Sequence, residues 1–244
     1  MLEKRLSGNQ LKLIAVLSMV SDHMGYTLYC GALGGSPEAA LVLPGLYRIY
    51  LILHMVGRIA FPIFAYLLVE GFFHTRSRKK YILRMGFFAL ISEIPFNLFI
   101  SDGLFYPWHQ NVFFTFVIGL CMMAVMEAIR RRVYGELGLV LQLLTVIAAS
   151  GLAWVTCTDY QFYGIMLIAI FYWFYGRPGQ QCLLGLIWQM GCEVEWILRL
   201  GVAFSFLLLY LYNGERGKKR FGYVFYLFYP AHLLVLSWIY RLMG

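Results

Sequence analysis

The sequence predicts an all-α polytopic membrane bundle of about nine transmembrane helices, with eight to ten as the expected range. Of the 244 residues, 61% are hydrophobic and only 13% are charged, whereas a soluble domain carries about 25% charged residues. Apolar stretches near the roughly 20 residues needed to cross a bilayer recur from end to end. We therefore expect residues 1–244 to form a single transmembrane domain.

The apolar segments give the expected helices in chain order. They lie at 9–30, 49–73, 80–100, 111–130, 137–155, 160–175, 181–192, 196–213 and 222–242. The seventh segment, 181–192, is shorter than a full transmembrane span, so we expect it to be tilted or re-entrant. If it does not cross the membrane, the number of transmembrane helices is eight.

The loop charges alternate in sign. Every second loop is basic, through Lys4, Arg5, Arg76, Arg78, Lys79, Lys80, Arg84, Arg130, Arg131, Arg132, Arg177, Arg216, Lys218, Lys219 and Arg220. The intervening loops hold Glu38, Asp102, Asp159, Glu193 and Glu195, with Arg48 as the main exception. The positive-inside rule then predicts a bacterial cytoplasmic membrane protein with a cytoplasmic N-terminus. Because topology explains the net charge of +8, we expect no nucleic-acid partner.

Three ionisable residues lie in the first apolar segment: Lys12, Asp22 and His23. Such residues are costly inside a membrane and indicate a functional site. Lys12 and His23 share one helix face and lie roughly 16 Å apart along the axis, so they can line one cavity at two depths. Asp22 is adjacent to His23 and faces elsewhere, so we expect it to pair with a base on another helix.

The second segment carries Arg58 followed by Pro62. Proline removes a backbone donor and frees the carbonyl four residues earlier, so we expect a kink at Arg58. A guanidinium in mid-membrane needs an anion. Asp22, Glu93 and a ligand phosphate are the candidates.

Polar residues also interrupt the third and fourth segments. Glu93 and Asn97 are spaced to share a helix face, and Pro95 between them breaks the backbone ladder. Gln110 and Asn111 begin the fourth segment, and Thr115 and Gly119 follow Asn111 at four-residue steps. This stripe suits close helix packing as readily as a cavity wall.

The last segment and one loop add further candidates. Pro230 should kink the final helix, and His232 lies near the membrane centre, where a polar group needs a partner. The basic residues between Arg76 and Arg84 suit the phosphates of a nucleotide-like cofactor, although topology and anionic lipids also explain them. No sequence pattern suggests a metal site.

The chain resembles the TraX family, membrane proteins of conjugation systems whose founding member acetylates the amino terminus of pilin. The resemblance rests on the segments LKLIAVLSMVSDHMG, GRIAFPIFAYLLVEGFFHTRSRKKY, LISEIPFN, QNVFFT and YPAHL, in this order. Lys12 and His23 also match the basic-x10-His spacing of the wider transmembrane acyltransferase superfamily.

The resemblance implies an acetyltransferase that uses cytoplasmic acetyl-CoA and an extracytoplasmic acceptor, such as a peptide or a pilin N-terminal amine. His23 would be catalytic, with Asp22 beside it, either as a base or as a transient acyl carrier. The expected donor-binding residues are Lys12, Arg58, Arg76, Lys79, Lys80, Arg84 and His232. The expected acceptor-side residues are Glu93, Asn97, Gln110 and Asn111.

Two other functions fit the same residues. A transporter or proton-coupled channel would use Asp22, His23, Arg58 and Glu93 as a relay. A non-catalytic assembly factor would bind a small secreted peptide without needing His23. Family resemblance does not fix the acceptor, which can also be a glycan or a lipid.

Overall fold

The structure is a computed structural model that describes residues 5–33, 43–217 and 224–243. Within these ranges it has ten helices and no β-strand. The helices are α1 (Gly8–Leu33), α2 (Pro44–Gly57), α3 (Ala60–His74), α4 (Arg78–Ser101), α5 (Val112–Arg132), α6 (Gly135–Val155), α7 (Gln161–Trp173), α8 (Pro178–Cys192), α9 (Trp196–Tyr210) and α10 (Val224–Met243). The predicted loop charges at Lys4, Glu38, Lys218, Lys219 and Arg220 lie outside the described residues.

The chain is an all-helical, multi-pass membrane protein, as the sequence predicts. Four helical segments of the described chain are long and apolar enough to cross a bilayer: Pro44–His74, α4, α5 and α6. When α2 and α3 are counted as one segment, the described chain has nine helical segments, which correspond in order to the nine predicted helices. That all nine cross the membrane stays a prediction.

Helices α2 and α3 are two halves of one interrupted segment. Helix α2 ends at Gly57 and α3 begins at Ala60, so the interruption lies at Arg58 and Ile59. Pro62 is the third residue of α3, where its missing N–H removes no helical hydrogen bond. The predicted break at Arg58 is therefore confirmed.

The other two prolines leave their helices uninterrupted. Pro95 lies inside α4 and Pro230 inside α10, and both helices continue on either side. The expected loss of one backbone hydrogen bond at Pro95 therefore does not end α4. A single missing donor in the middle of a long, packed helix removes one bond, and the neighbouring helices hold the rest in place.

Small residues let α1, α5 and α9 approach their neighbours. A Cβ added at Gly57 would overlap the Asp22 side chain, and one added at Gly201 would overlap the Met55 carbonyl. The predicted stripe on α5 packs against α7, since a Cβ at Gly119 would lie 2.7 Å from Ile168 Cδ1. The stripe thus serves helix packing, and α1 is placed against α2, α3 and α10.

Candidate functional site

Two cavities follow one another along α1, and we name them after the ionisable residues that line them. The Lys12 cavity has a volume of about 590 Å³ and the His23 cavity about 280 Å³. Phe64 and Phe116 line both of them. The sequence predicts one cavity lined by Lys12 and His23, whereas the structure places the two residues in two adjoining cavities that share two aromatic residues.

Five helices and two connections contribute to the His23 cavity. Its wall consists of Met19, Asp22, His23, Gly57, Arg58, Ala60, Phe61, Phe64, Val112, Phe116, Asp159, Tyr160 and Tyr229. The interruption between α2 and α3 brings Arg58 to this wall, and the connection from α6 to α7 brings Asp159 and Tyr160. Helix α4, which we expected to line the site, contributes none of these residues.

The His23 imidazole is held by a histidine of the last helix. His23 Nδ1 lies 2.7 Å from His232 Nε2, and His232 Nδ1 lies 2.9 Å from the Phe228 carbonyl oxygen. The two rings are inclined by only 11° with centroids 4.9 Å apart, so the bond joins ring edges that lie nearly in one plane. Phe99 and Tyr229 flank His23 at centroid distances of 5.3 Å and 6.3 Å.

These contacts assign the proton positions of both histidines in their neutral form. A carbonyl oxygen only accepts, so His232 Nδ1 must carry the hydrogen that it donates to Phe228. His232 Nε2 is then an acceptor, and His23 Nδ1 must donate to it. The remaining nitrogen, His23 Nε2, is left with a free lone pair on a ring that lines the cavity. This is the form of histidine that acts as a base or a nucleophile.

A row of four polar side chains lies beside the cavity at the helix interruption. Asp22 Oδ1 is 2.6 Å from His54 Nδ1, and His54 Nε2 contacts Arg58 Nη2. Arg58 Nη1 lies 3.5 Å from Glu193 Oε1. The imidazole of His54 therefore connects a carboxylate to a guanidinium, and the buried Arg58 charge is balanced from two sides.

This row tests the expected partners of Asp22 and Arg58. Asp22 pairs with a base on another helix, as expected from its position on α1. Glu93, the other expected anion, lies elsewhere: its Oε2 accepts a hydrogen bond of 2.6 Å from Asn111. Of the candidate anions for Arg58, Glu93 is excluded, because α9 rather than α4 packs beside α2 and supplies Glu193 from its preceding loop.

The four expected acceptor-side residues lie on α4 and the loop that follows it, and none lines either cavity. Asn111 caps α5 by accepting from the Phe113 N–H at 3.1 Å and donates to the Ala89 carbonyl at 2.9 Å. Asn97 donates to the Leu104 carbonyl and Gln110 to the Pro107 carbonyl, each at 3.2 Å. Their polar groups therefore hold helix ends and a loop, and their role towards an acceptor stays a prediction.

The Lys12 cavity is lined by three cations: Lys12, Arg84 and Arg216. No carboxylate of the described chain pairs with them, and Glu70 in the same wall lies 3.6 Å from His74 instead. The Arg84 guanidinium lies over the rings of Tyr81 and Tyr226, while its buried Nε has no hydrogen-bond partner in the described structure. Uncompensated cations around a cavity are suited to phosphate groups.

The structure separates Arg84 from the neighbouring basic residues of the loop before α4 and its first turn, which were also expected to bind a donor. Arg76, Lys79 and Lys80 are exposed and line neither cavity. His232 also lines neither cavity, because its ring lies behind His23. Of that expected set, Lys12, Arg84 and Arg58 remain at cavity walls, with Arg58 in the His23 cavity.

The sequence did not mark six residues as parts of the site. Phe64, Phe116, Tyr160 and Arg216 line the cavities, and His54 and Glu193 contact residues of the His23 cavity. Burial raises the pKa of Tyr160 well above its usual value, so its hydroxyl stays neutral beside Arg58. For Arg216, its charge in a basic loop is a sequence signal that could have predicted a role in the site. The aromatic residues reach the cavity walls through tertiary packing, which no local sequence pattern predicts.

The loop between α4 and α5 is tied to the His23 cavity by His109. Its Nε2 lies 3.7 Å from the Asp159 carboxylate, and its ring lies 5.4 Å from that of Phe96. The interaction with Asp159 raises the pKa of His109 above its ordinary value, against the opposing effect of burial. A raised folded-state pKa gives stability below the unfolded value near about 6.5, and this stability is lost as pH rises through the folded value.

We therefore expect His109→Gln to lower the thermal midpoint of unfolding in detergent at pH 5.5 and to leave it nearly unchanged at pH 8.5. Since the side chain is half exposed, solvent screens the pair and the effect at low pH should be small. An equal loss at both pH values would show that packing, rather than the charge pair, accounts for it.

Comparison with known proteins extends over nearly the whole chain. Residues 7–240 match the family described as TraX protein. A relative from Dichelobacter nodosus, described as "Probable fimbrial assembly protein FimC, serogroup H1", is 31% identical over 254 residues, with 94% of each chain covered. No solved structure matches the chain. The matched range includes every described residue that lines the two cavities.

Proposed function

We propose a function from the premise that this chain belongs to the TraX family. The proposed activity is that of a membrane acetyltransferase, which takes an acetyl group from cytoplasmic acetyl-CoA and delivers it to an extracytoplasmic acceptor. The similar fimbrial assembly protein supports a pilin or another small peptide, with its N-terminal amine, as the acceptor. The bacterial cytoplasmic membrane and a cytoplasmic N-terminus are part of this proposal.

One observation carries the proposal: a histidine with an available Nε2 lines a cavity that adjoins a second cavity lined by three cations. Neutral imidazole is a suitable base near pH 7. Lys12, Arg84 and Arg216 would hold the phosphates of the donor, and its pantetheine arm would extend past Phe64 towards His23. Arg58, in the wall of the His23 cavity, would face the thioester carbonyl.

The reaction follows from these positions. His23 Nε2 accepts a proton from the acceptor amine as its nitrogen attacks the acetyl carbonyl carbon. The carbon–sulfur bond of the thioester then breaks, and the CoA thiolate takes the proton from the His23 imidazolium. The products are the acetylated amine and CoA with a free thiol. In the alternative course, Nε2 first carries the acetyl group and passes it to the amine in a second step.

The direct test uses the protein in proteoliposomes with labelled acetyl-CoA on one side and a synthetic pilin N-terminal peptide on the other. We expect a peptide heavier by one acetyl group, formed only when both are present. Flux of a small solute without acetyl-CoA would favour the transporter. Peptide binding without any acetylation would favour the assembly factor.

A charge reversal tests the donor position. We expect Arg84→Glu to raise the KM for acetyl-CoA by about tenfold or more, because it removes a charge-assisted contact to phosphate and adds a repulsive charge. Arg132→Glu is the matched control, since this arginine lies exposed at the end of α5 and lines neither cavity. Equal KM values in the two variants would remove Arg84 from the donor site.

A further inference from the structure

The two cavities meet at a pair of aromatic rings. Along α1 the walls run from Lys12 in the Lys12 cavity to Met19 and His23 in the other. Helix α10 gives the same order, from Phe225 to Tyr229. Along α3 the order is reversed, as expected for an antiparallel neighbour, with Phe64 as the common residue of the two walls. These elements agree on a boundary at Phe64.

The partner ring, Phe116, is fixed by stacking. Phe116 is buried on α5 and lies parallel to Phe61, with an angle of 7° between the rings and 6.0 Å between their centroids. Phe61 in turn stacks on Tyr160 at 3.6 Å. Phe64 is only half-buried, which is consistent with its position between two empty spaces. One ring of the boundary is therefore held by a stack, and the other borders open volume.

We propose that Phe64 and Phe116 form an aromatic constriction that limits the length of the acyl group transferred, so that only short-chain acyl thioesters react. This inference rests on the proposed function. A thioester bound by the three cations must extend past both rings to reach His23. Every further carbon of the acyl chain must then fit, together with the acceptor, into a cavity of about 280 Å³. The stacked ring of Phe116 at this entrance resists the widening that a longer chain needs, and the Phe64 side chain occupies the opposite side of the opening.

The reaction remains the same for a longer donor. The thioester carbon–sulfur bond breaks, the acyl–nitrogen bond forms, and the proton passes from the amine to the CoA thiolate. Truncating Phe64 removes part of its side chain and so widens the opening between the two cavities. His23, Lys12 and Arg84 stay in place. Selectivity among donors should therefore change while the chemistry is retained.

The test compares acetyl-CoA, butyryl-CoA and hexanoyl-CoA as donors for the purified protein in proteoliposomes. We expect Phe64→Ala to raise the ratio of kcat/KM for butyryl-CoA over acetyl-CoA by about tenfold or more, since each methylene in an apolar site is worth about that much. Phe64→Leu should change the ratio in the same direction by less. Phe73→Ala is the matched control on α3, because Phe73 is also half-buried and stacks on Tyr175 outside both cavities.

The outcomes separate this inference from the function on which it rests. An unchanged donor ratio in both Phe64 variants, with acetyl transfer retained, would overturn the constriction. Loss of transfer from all donors in folded Phe64→Leu would also overturn it, because the ring would then serve catalysis rather than selection. Absence of acyl transfer in the unsubstituted protein would instead overturn the proposed function.

Discussion

Replacing His23 with glutamine should reduce acetyl transfer by about a hundredfold to ten-thousandfold, the usual contribution of a general acid or base. Glutamine has a similar size and can still donate a hydrogen bond to His232. It has no basic nitrogen to offer the cavity. The helix α1 should therefore remain in place while proton removal from the acceptor is lost. The measurement is the rate of peptide acetylation in proteoliposomes at saturating acetyl-CoA.

His109→Gln is the control for this substitution. It is also a histidine-to-glutamine change near the α6–α7 connection, and His109 lines neither cavity. Assayed at pH 8.5, where its charge pair contributes little, it should acetylate the peptide at the unsubstituted rate. If His23→Gln elutes as a folded protein in detergent and also keeps the full rate, His23 has no part in the transfer.

The features of the fold that the sequence predicts follow from the geometry of single helices. The rise of an α-helix places Lys12 and His23 on one face of α1, and both indeed line cavities along it. The missing N–H of Pro62 predicts the interruption at Arg58, and the helix ends there. Each of these inferences depends only on residues within a few turns of one another.

The contacts between helices depend on packing that no local rule contains. Arg58 meets Glu193, which is distant in sequence, because Gly201 allows α9 to lie close against α2. Helical periodicity gives the face on which Arg58 lies, but not the helix that this face meets. The same limit explains why Glu93 remained among the candidate partners of Arg58.

Amide side chains were the least predictable part of the site. Asn97, Gln110 and Asn111 are polar residues at the ends of apolar segments, where both a binding role and a structural role fit the sequence. In the structure, their N–H groups bond to the carbonyls of Leu104, Pro107 and Ala89. The carbonyls of Leu104 and Pro107 lie in the loop after α4, where the backbone offers few other donors. Ala89 lies inside α4, so the bond from Asn111 ties the start of α5 to the neighbouring helix.

The role of His232 is set by the proton that His23 donates to it. If Nδ1 of His23 loses this acceptor, its hydrogen can occupy either ring nitrogen, and the ring can rotate within the cavity. The fraction of His23 with a free Nε2 in the reactive orientation then falls. His232 is thus a positioning residue, fixed in turn by the Phe228 carbonyl at 2.9 Å. Partners that orient metal-bound histidines contribute about tenfold to a hundredfold to activity, and we expect a similar factor for this pair.

We therefore expect His232→Ala to lower kcat for peptide acetylation by about tenfold to a hundredfold, with little change in the KM for acetyl-CoA. His232→Gln should recover part of the loss, because its amide oxygen can accept the hydrogen of His23 Nδ1. Trp238→Ala, at an exposed position of the same helix, is the control. A purely structural role predicts that activity follows thermal stability across the three variants. If His232→Gln has a higher kcat than His232→Ala at the same thermal stability, the active site requires an acceptor for the hydrogen on His23 Nδ1.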